Sequence, residues 1–195
     1  MRDQIAAPCD IRRALLRNGY SPIPVNGKAP PMNGWEKKFQ TNNAEIDLWS
    51  KTWPTATNTG ILTQRTPAVD IDIMVPAAAE AIEQIARNTF GEHGDILTRF
   101  GRAPKRAILL RTDEPFKKIV RLFVAPDGSE HKIEVLADGQ QIVVDGIHPD
   151  INKPYSWHGG SPCTTQREQL PYVREAELRA FLDEATRVLV EARKP

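Results

Sequence analysis

The chain has 195 residues, 40% hydrophobic and 26% charged, with 26 Lys and Arg against 25 Asp and Glu for a net charge of +1. That suffices for one domain with its own core, and the charge is too balanced to hold a polyanion except through local clusters. No apolar run is long enough to span a bilayer, no basic-then-apolar start reads as a signal peptide, and the two cysteines, Cys9 and Cys163, make neither a disulfide framework nor a zinc site. A reducing cytoplasm is therefore the expected localisation, with no membrane partner.

Asp10 to Asn18 carries a helical pattern, with Ile11, Ala14 and Leu15 on one face, Arg12, Arg13 and Arg17 elsewhere, and Asp10 as N-cap. Asn18-Gly19 stops it. Ser21 to Val25 reads as a short strand whose prolines suit a sheet edge. Asn26 to Trp35 is a loop dense in Gly and Pro. Within it Lys28 reads either as a solvated lysine or as a cation beside a phosphate, and Trp35 as a cap on the core. Thr41 to Lys51 reads as a helix capped by Asn43, with Ile46 and Trp49 on one face. Asn58 to Thr63 is a strand, and the tight link Gln64-Arg65-Thr66 after it predicts an antiparallel neighbour in the strand that follows.

That following strand, Pro67 to Ile73, alternates apolar and acidic: Val69, Ile71 and Ile73 on one side, Asp70 and Asp72 on the other. Two carboxylates on one face repel, and a divalent cation between them relieves this. The plainer alternative is a half-buried strand with an acidic wet face. Pro76 to Asn88 is an alanine-rich helix facing the core with Ala78, Ile82 and Ile85. Thr98 to Arg106 reads as a basic loop holding Arg99, Arg102, Lys105 and Arg106, either a polyphosphate site or a solvated loop, leading into a strand from Ala107 to Arg111. Ile119 to Val124 and His131 to Leu136 read as a hairpin around Asp127-Gly128. The return strand turns Ile133, Val135 and Ala137 inward and Lys132, Glu134 and Leu136 outward, so Glu134 is a third carboxylate able to lie beside Asp70 and Asp72. After a turn at Asp138-Gly139, Gln140 to Asp145 is a strand. Gly146 to Trp157 is a structured loop containing His148, a residue type that in loops more often bonds locally than catalyses. Glu175 to Arg193 closes the chain as an amphipathic helix with Leu178, Phe181, Leu182, Ala185, Val188 and Leu189 as its stripe.

These segments, taken in order, resemble the N-terminal primase-polymerase domain of plasmid, phage and integrated-element replication proteins, in the archaeo-eukaryotic primase superfamily. The segments that carry the resemblance are Gly19-Tyr-Ser-Pro-Ile-Pro-Val with Lys28, Pro30, Trp35 and Trp49, then Thr59-Gly60-Ile61-Leu62-Thr63 leading into Val69-Asp70-Ile71-Asp72. Ile133-Glu134-Val135 near Gly139-Gln140 follows, and then Gly146-Ile-His148-Pro-Asp150 with Pro154, Tyr155 and Trp157. The resemblance implies an α/β (α+β) fold: a catalytic sheet like that of an RNA-recognition motif over 67–160, packed with an N-terminal αβ unit over 1–66 and a C-terminal helix in 161–195, all one primase-polymerase domain with a cleft between its halves. It implies that Asp70, Asp72 and Glu134 are catalytic and bind Mg²⁺ or Mn²⁺. The family's second motif, Ser-x-His, is replaced here by Gly101-Arg102-Ala103-Pro104-Lys105. Lys105 or Arg102 then supplies charge to the triphosphate, with Arg99, Lys28 and His148 as further nucleotide or phosphate contacts. His131 and His148 are the other sources of an imidazole. The implied function is a template-directed, metal-dependent nucleotidyltransferase acting on single-stranded DNA with ribo- or deoxyribonucleoside triphosphates, partnered with a helicase domain or protein. Two other readings stand beside it. One is a catalytically reduced replication module that binds single-stranded or origin DNA through four tryptophans and the basic loop. The other is a metal-dependent phosphodiesterase or nuclease using the same acids.

Overall fold

The computed structural model describes residues 6–124, 128 and 130–191. Helix α1 (Pro8–Arg17) starts at Pro8, two residues before the predicted cap at Asp10, because proline is pre-shaped for the first helical position. Strand β1 (Pro22–Val25) follows, then α2 (Asn43–Thr52), whose cap is Asn42 and not Asn43: the Asn42 side chain accepts from the Glu45 N–H at 3.0 Å. Ile46 and Trp49 are buried as the spacing predicts. Next come β2 (Asn58–Leu62), β3 (Ala68–Asp72), α3 (Pro76–Phe90), β4 (Thr98–Phe100), β5 (Arg106–Leu109), β6 (Ile119–Val124), β7 (Glu130–Leu136) and β8 (Gln141–Asp145). Short strands β9 (Ile147–His148), β10 (Lys153–Pro154) and β11 (Ser156–His158) occupy the segment expected to be a loop, and α4 (Glu175–Glu191) ends the described chain. Asp127 of the turn predicted at Asp127-Gly128, and residues 192 and 193 of the predicted closing helix, lie outside the described residues. The hairpin itself is present, with β6 and β7 paired antiparallel from Ile119↔Val135 to Val124↔Glu130.

Among the described residues the strands form a six-stranded antiparallel sheet, β11-β4-β5-β3-β7-β6, a three-stranded sheet, β1-β2-β8, and a small β9–β10 pair. The expected pairing of β2 with β3 does not occur. The link between them is buried at Thr63 and Thr66, and the Thr63 hydroxyl donates to the Ala137 carbonyl at 2.7 Å. That bond helps seat the chain where it leaves one sheet for the other. Proline-bearing β1 lies at an edge, where its missing N–H donors cost no ladder bonds.

Two apolar layers enclose the large sheet. On one face Val69, Ile71, Ile108, Ile133 and Val135 pack with Ala79, Ile82, Ala86 and Phe90 of α3 and Leu178, Phe181, Leu182 and Ala185 of α4. The stripe on α3 is thus rotated from the one predicted, leaving Ala78 and Ile85 at its margin. On the other face Ala68, Ala107 and Leu109 pack against Ile61, Ile142 and Val144 of the small sheet, with Leu15 and Tyr20. Arg12, expected on the polar side of α1, is 1% exposed. Its Nη2 donates to the carbonyls of Ala56 at 2.5 Å and Asn58 at 3.0 Å. The result is a mixed α/β domain with a large antiparallel sheet. No helix among the described residues is long and apolar enough to cross a membrane.

Candidate active site

The small sheet covers only part of the large sheet's second face, and the acids lie where the cover ends. Cross-strand partners share a face, so the register defines a row running Trp157, Arg99, Ala107, Asp70, Glu134, Val120 across all six strands. A second row places Asp72 opposite Lys132 and Lys132 opposite Leu122. Asp70 and Glu134 are therefore direct neighbours, on strands that meet only through tertiary pairing. Ala107, on the other side of Asp70, is small enough to leave the carboxylate open to the cleft.

Each acid has a cationic partner. Lys105 pairs with Asp72. Lys118 and Lys132 reach Glu134 at 2.6 and 3.0 Å. Arg99 Nη2 is 3.9 Å from Asp70. Burial pushes the Asp70 carboxyl above the usual carboxylate range; Arg99 opposes this and the neighbouring Asp72 and Glu134 add to it. Burial acts on Glu134 in the same sense, but the bonds from Lys118 and Lys132 outweigh it and hold that carboxyl low. Among the described residues no three or more His, Cys, Asp or Glu side chains are gathered closely enough to hold a metal ion.

The predicted basic loop divides. Thr98–Phe100 is strand β4, and the loop proper is Gly101 to Lys105. Arg106 is in register with Ile71 and so sits on the helix face, where it pairs with Glu83 and lies 5.1 Å over the Phe100 ring. Arg99, Arg102 and Lys105 line the cleft with Asp70, Asp72, Lys28 and His148. Arg99 spans the two sheets: its Nη1 donates to the Val143 carbonyl at 2.5 Å, its guanidinium lies 5.1 Å over the Tyr155 ring, and its buried Nε has no hydrogen-bond partner among the described residues.

Lys28 arrives from the opposite wall. Asn58 ties its loop to the β9 segment, donating to the Gly27 and Ile147 carbonyls and accepting from the Ile147 N–H, each at 2.8 Å. Lys28 Nζ then meets Asp150 Oδ2 at 2.8 Å, both side chains about half exposed. His148 is buried, 5.4 Å from the Tyr155 ring, and its Nδ1 accepts from the Asp150 N–H at 3.3 Å. It lies against the loop where the resemblance leads one to expect a histidine: a Cβ on residue 101 would stand 2.9 Å from His148 Cδ2 and 2.8 Å from Tyr155 Cε1, so a larger residue there would have to displace one of those rings. His131, in register with Phe123, is on the helix face and away from the acids. Lys118, Lys132, Asp150 and Tyr155 are cleft or acid-contacting residues that sequence reasoning did not assign to the site. Strand alternation gave a signal for Lys132, two residues before Glu134; Lys118 had none.

Burial lowers the His148 pKa below 6.5, Lys28 adds to this, Asp150 opposes it, and Arg99 and Arg102 lower it further. The unfolded chain thus takes up this proton more readily than the folded one, so the neutral ring's contribution to stability declines as pH falls below that value. Urea unfolding of the wild type and His148→Gln, near neutral pH and at about pH 5, is expected to show the wild type losing ground at the lower pH. A difference that does not vary with pH would disprove this.

The family model described as bifunctional DNA primase/polymerase, N-terminal, matches residues 12–173, and the chain belongs to that family. Membership assigns a DNA primase/polymerase type of function in replication, with nucleotidyl transfer as the general chemistry and DNA and nucleotides as substrates. No curated protein matches the chain.

Proposed function

We propose that this chain is a template-directed, metal-dependent nucleotidyltransferase that makes or extends primers on single-stranded DNA during replication of a plasmid, phage or integrated element. The observation that carries the reading is the row placing Arg99, Asp70 and Glu134 in register across the large sheet, with Arg102 and Lys105 on the loop at its cationic end. Carboxylate oxygens are the donor class that Mg²⁺ and Mn²⁺ take, and Asp70 among like charges is a site that gains from a cation. The donor chemistry suits the ions, and Asp70, Asp72 and Glu134 would hold them once drawn closer together than they stand while paired with Lys105, Lys118 and Lys132. When bound, such ions activate the attacking 3′-hydroxyl and neutralise charge on the leaving oxygens.

The protein's own side chains do the rest. Arg102, Lys105 and Lys28 bind the triphosphate, Lys105 passing from Asp72 to a phosphate oxygen as the acid's charge is met elsewhere. Arg99 is locked between Val143 and Tyr155 and fixes the cationic wall. Neutral His148 stands beside the Gly101 loop, in the region of the imidazole missing from that loop, and donates to phosphate. A helicase domain or protein as partner fits this role.

One finding bears on the reduced, DNA-binding alternative. Trp49 is buried, and Trp35, Trp53 and Trp157 are all partly buried, with Trp157 Nε1 bonded to the Val144 carbonyl at 2.9 Å. The tryptophans are thus mostly occupied in holding the fold, which weakens the stacking argument. The deciding assay is incorporation of ribo- and deoxynucleotides on a single-stranded template with Mg²⁺ or Mn²⁺. Incorporation is expected, and the Arg102→Ala/Lys105→Ala variant should raise the nucleotide KM by about 100-fold, the worth of two charge-assisted bonds. DNA binding without incorporation would overturn the reading, and strand cleavage without any triphosphate would point to the nuclease.

A further inference from the structure

We propose that the aliphatic strip on the outward face of β6, Val120, Leu122 and Val124, is the platform on which the 3′ end of a primer strand lies; this rests on the nucleotidyl-transfer reading above. Strand β6 buries Ile119 and Phe123 but leaves Val120 40%, Leu122 70% and Val124 56% exposed. Edge strands ordinarily carry charge to prevent sticking. This one presents three branched aliphatic side chains in line.

Their position identifies what they face. Val120 is in register with Glu134, and Glu134 with Asp70. Leu122 is in register with Lys132, and Lys132 with Asp72. The strip therefore runs alongside the acids on the same face, two strand spacings or about 10 Å from β3. The cations that suit a triphosphate, Arg99, Arg102 and Lys105, lie on the opposite side of the acids. In-line transfer places the attacking oxygen across the reacting phosphorus from the leaving pyrophosphate. With pyrophosphate on the β4–β5 side, the attacking 3′-hydroxyl comes from the β7–β6 side, and the nucleotides behind it pass over β6. At about 10 Å the contact falls on the last two or three nucleotides. Deoxyribose rings and the face of the terminal base offer an apolar surface to the strip. Lys118 and Lys132, at the boundary between strip and acids, are placed to meet the adjoining phosphates.

The test uses a fluorescent primer–template duplex with a recessed 3′ end, measured by anisotropy, with single-stranded template as control. Leu122→Asp and the uncharged Leu122→Asn are expected to weaken duplex binding and raise the primer–template KM at least about 10-fold, with Leu122→Met near wild type. The nucleotide KM should stay within about twofold. Because Leu122 is mostly exposed, both polar variants should fold, which circular dichroism checks. Unchanged duplex binding in folded Leu122→Asp and Leu122→Asn overturns the platform. So does loss of self-association in sedimentation velocity with duplex binding intact, which makes the strip an interface between copies of this chain. Should the wild type bind the duplex through Leu122 yet incorporate nothing, the platform stands and the nucleotidyl-transfer reading fails.

Discussion

Replacing Asp70 by Asn is expected to cut nucleotide incorporation by about 10³-fold while leaving the melting temperature unchanged or higher. The two effects have one cause. Asp70 sits on β3 directly opposite Glu134 and on the same face as Asp72, so three carboxylates share one stretch of sheet. Burial and those like charges hold its acid form too stable, and Arg99 at 3.9 Å offsets this only in part. An amide of the same shape removes the repulsion and the proposed metal ligand together. A structural acid would behave otherwise, since its loss would lower stability and reduce activity only through unfolding. Incorporation by the variant at the wild-type rate would sink the assignment. A fall of several degrees in melting temperature accompanying lost activity would sink the functional interpretation of the acid cluster.

Arg12→Ala is expected to destabilise the protein by about 3 kcal/mol, with no direct effect on the acids. The guanidinium is sealed under α1, and burial pushes its pKa down to about 10. It is retained because it closes two buried carbonyls, at Ala56 and Asn58, where the chain enters β2. Truncation orphans both acceptors and leaves a void the length of the side chain. Arg12→Met should cost less, because it fills most of the volume and removes the penalty of burying a charge. For a chain of this size the alanine variant corresponds to a melting temperature lower by roughly 6–12 °C. Chemical unfolding of both variants checks the order, and an alanine variant within about 1 kcal/mol of wild type would show that water satisfies those carbonyls.

Arg12 also shows where sequence reading stops. The 3.6-residue period placed α1 correctly to within two residues, but an arginine among polar neighbours looks solvated whichever surface it meets. Likewise the short link after β2 reads as a hairpin turn, because closeness in sequence is the only cue available. In the structure that link carries the chain between sheets. The basic loop gave a cluster of cations, and all four residues border the cleft, but the β5 register turns the Arg106 side chain to Glu83 on the helix face. His148 and Gly101 are far apart in sequence and touch only because β9 folds back over the loop.

What the sequence determined by itself is local: the alternation Val69-Asp70-Ile71-Asp72 and Ile133-Glu134-Val135, which fixes the faces of β3 and β7 before any partner is known. A strand's faces follow from its own backbone, since successive side chains must point to opposite sides. The tertiary structure alone decided that these two strands are neighbours in the register Asp70↔Glu134, that β8 completes the small sheet with β2, and that the lysines at 105, 118 and 132 close on the acids. Pairing and register are chosen by the burial of both faces at once, a property of the assembled layers that no single segment carries.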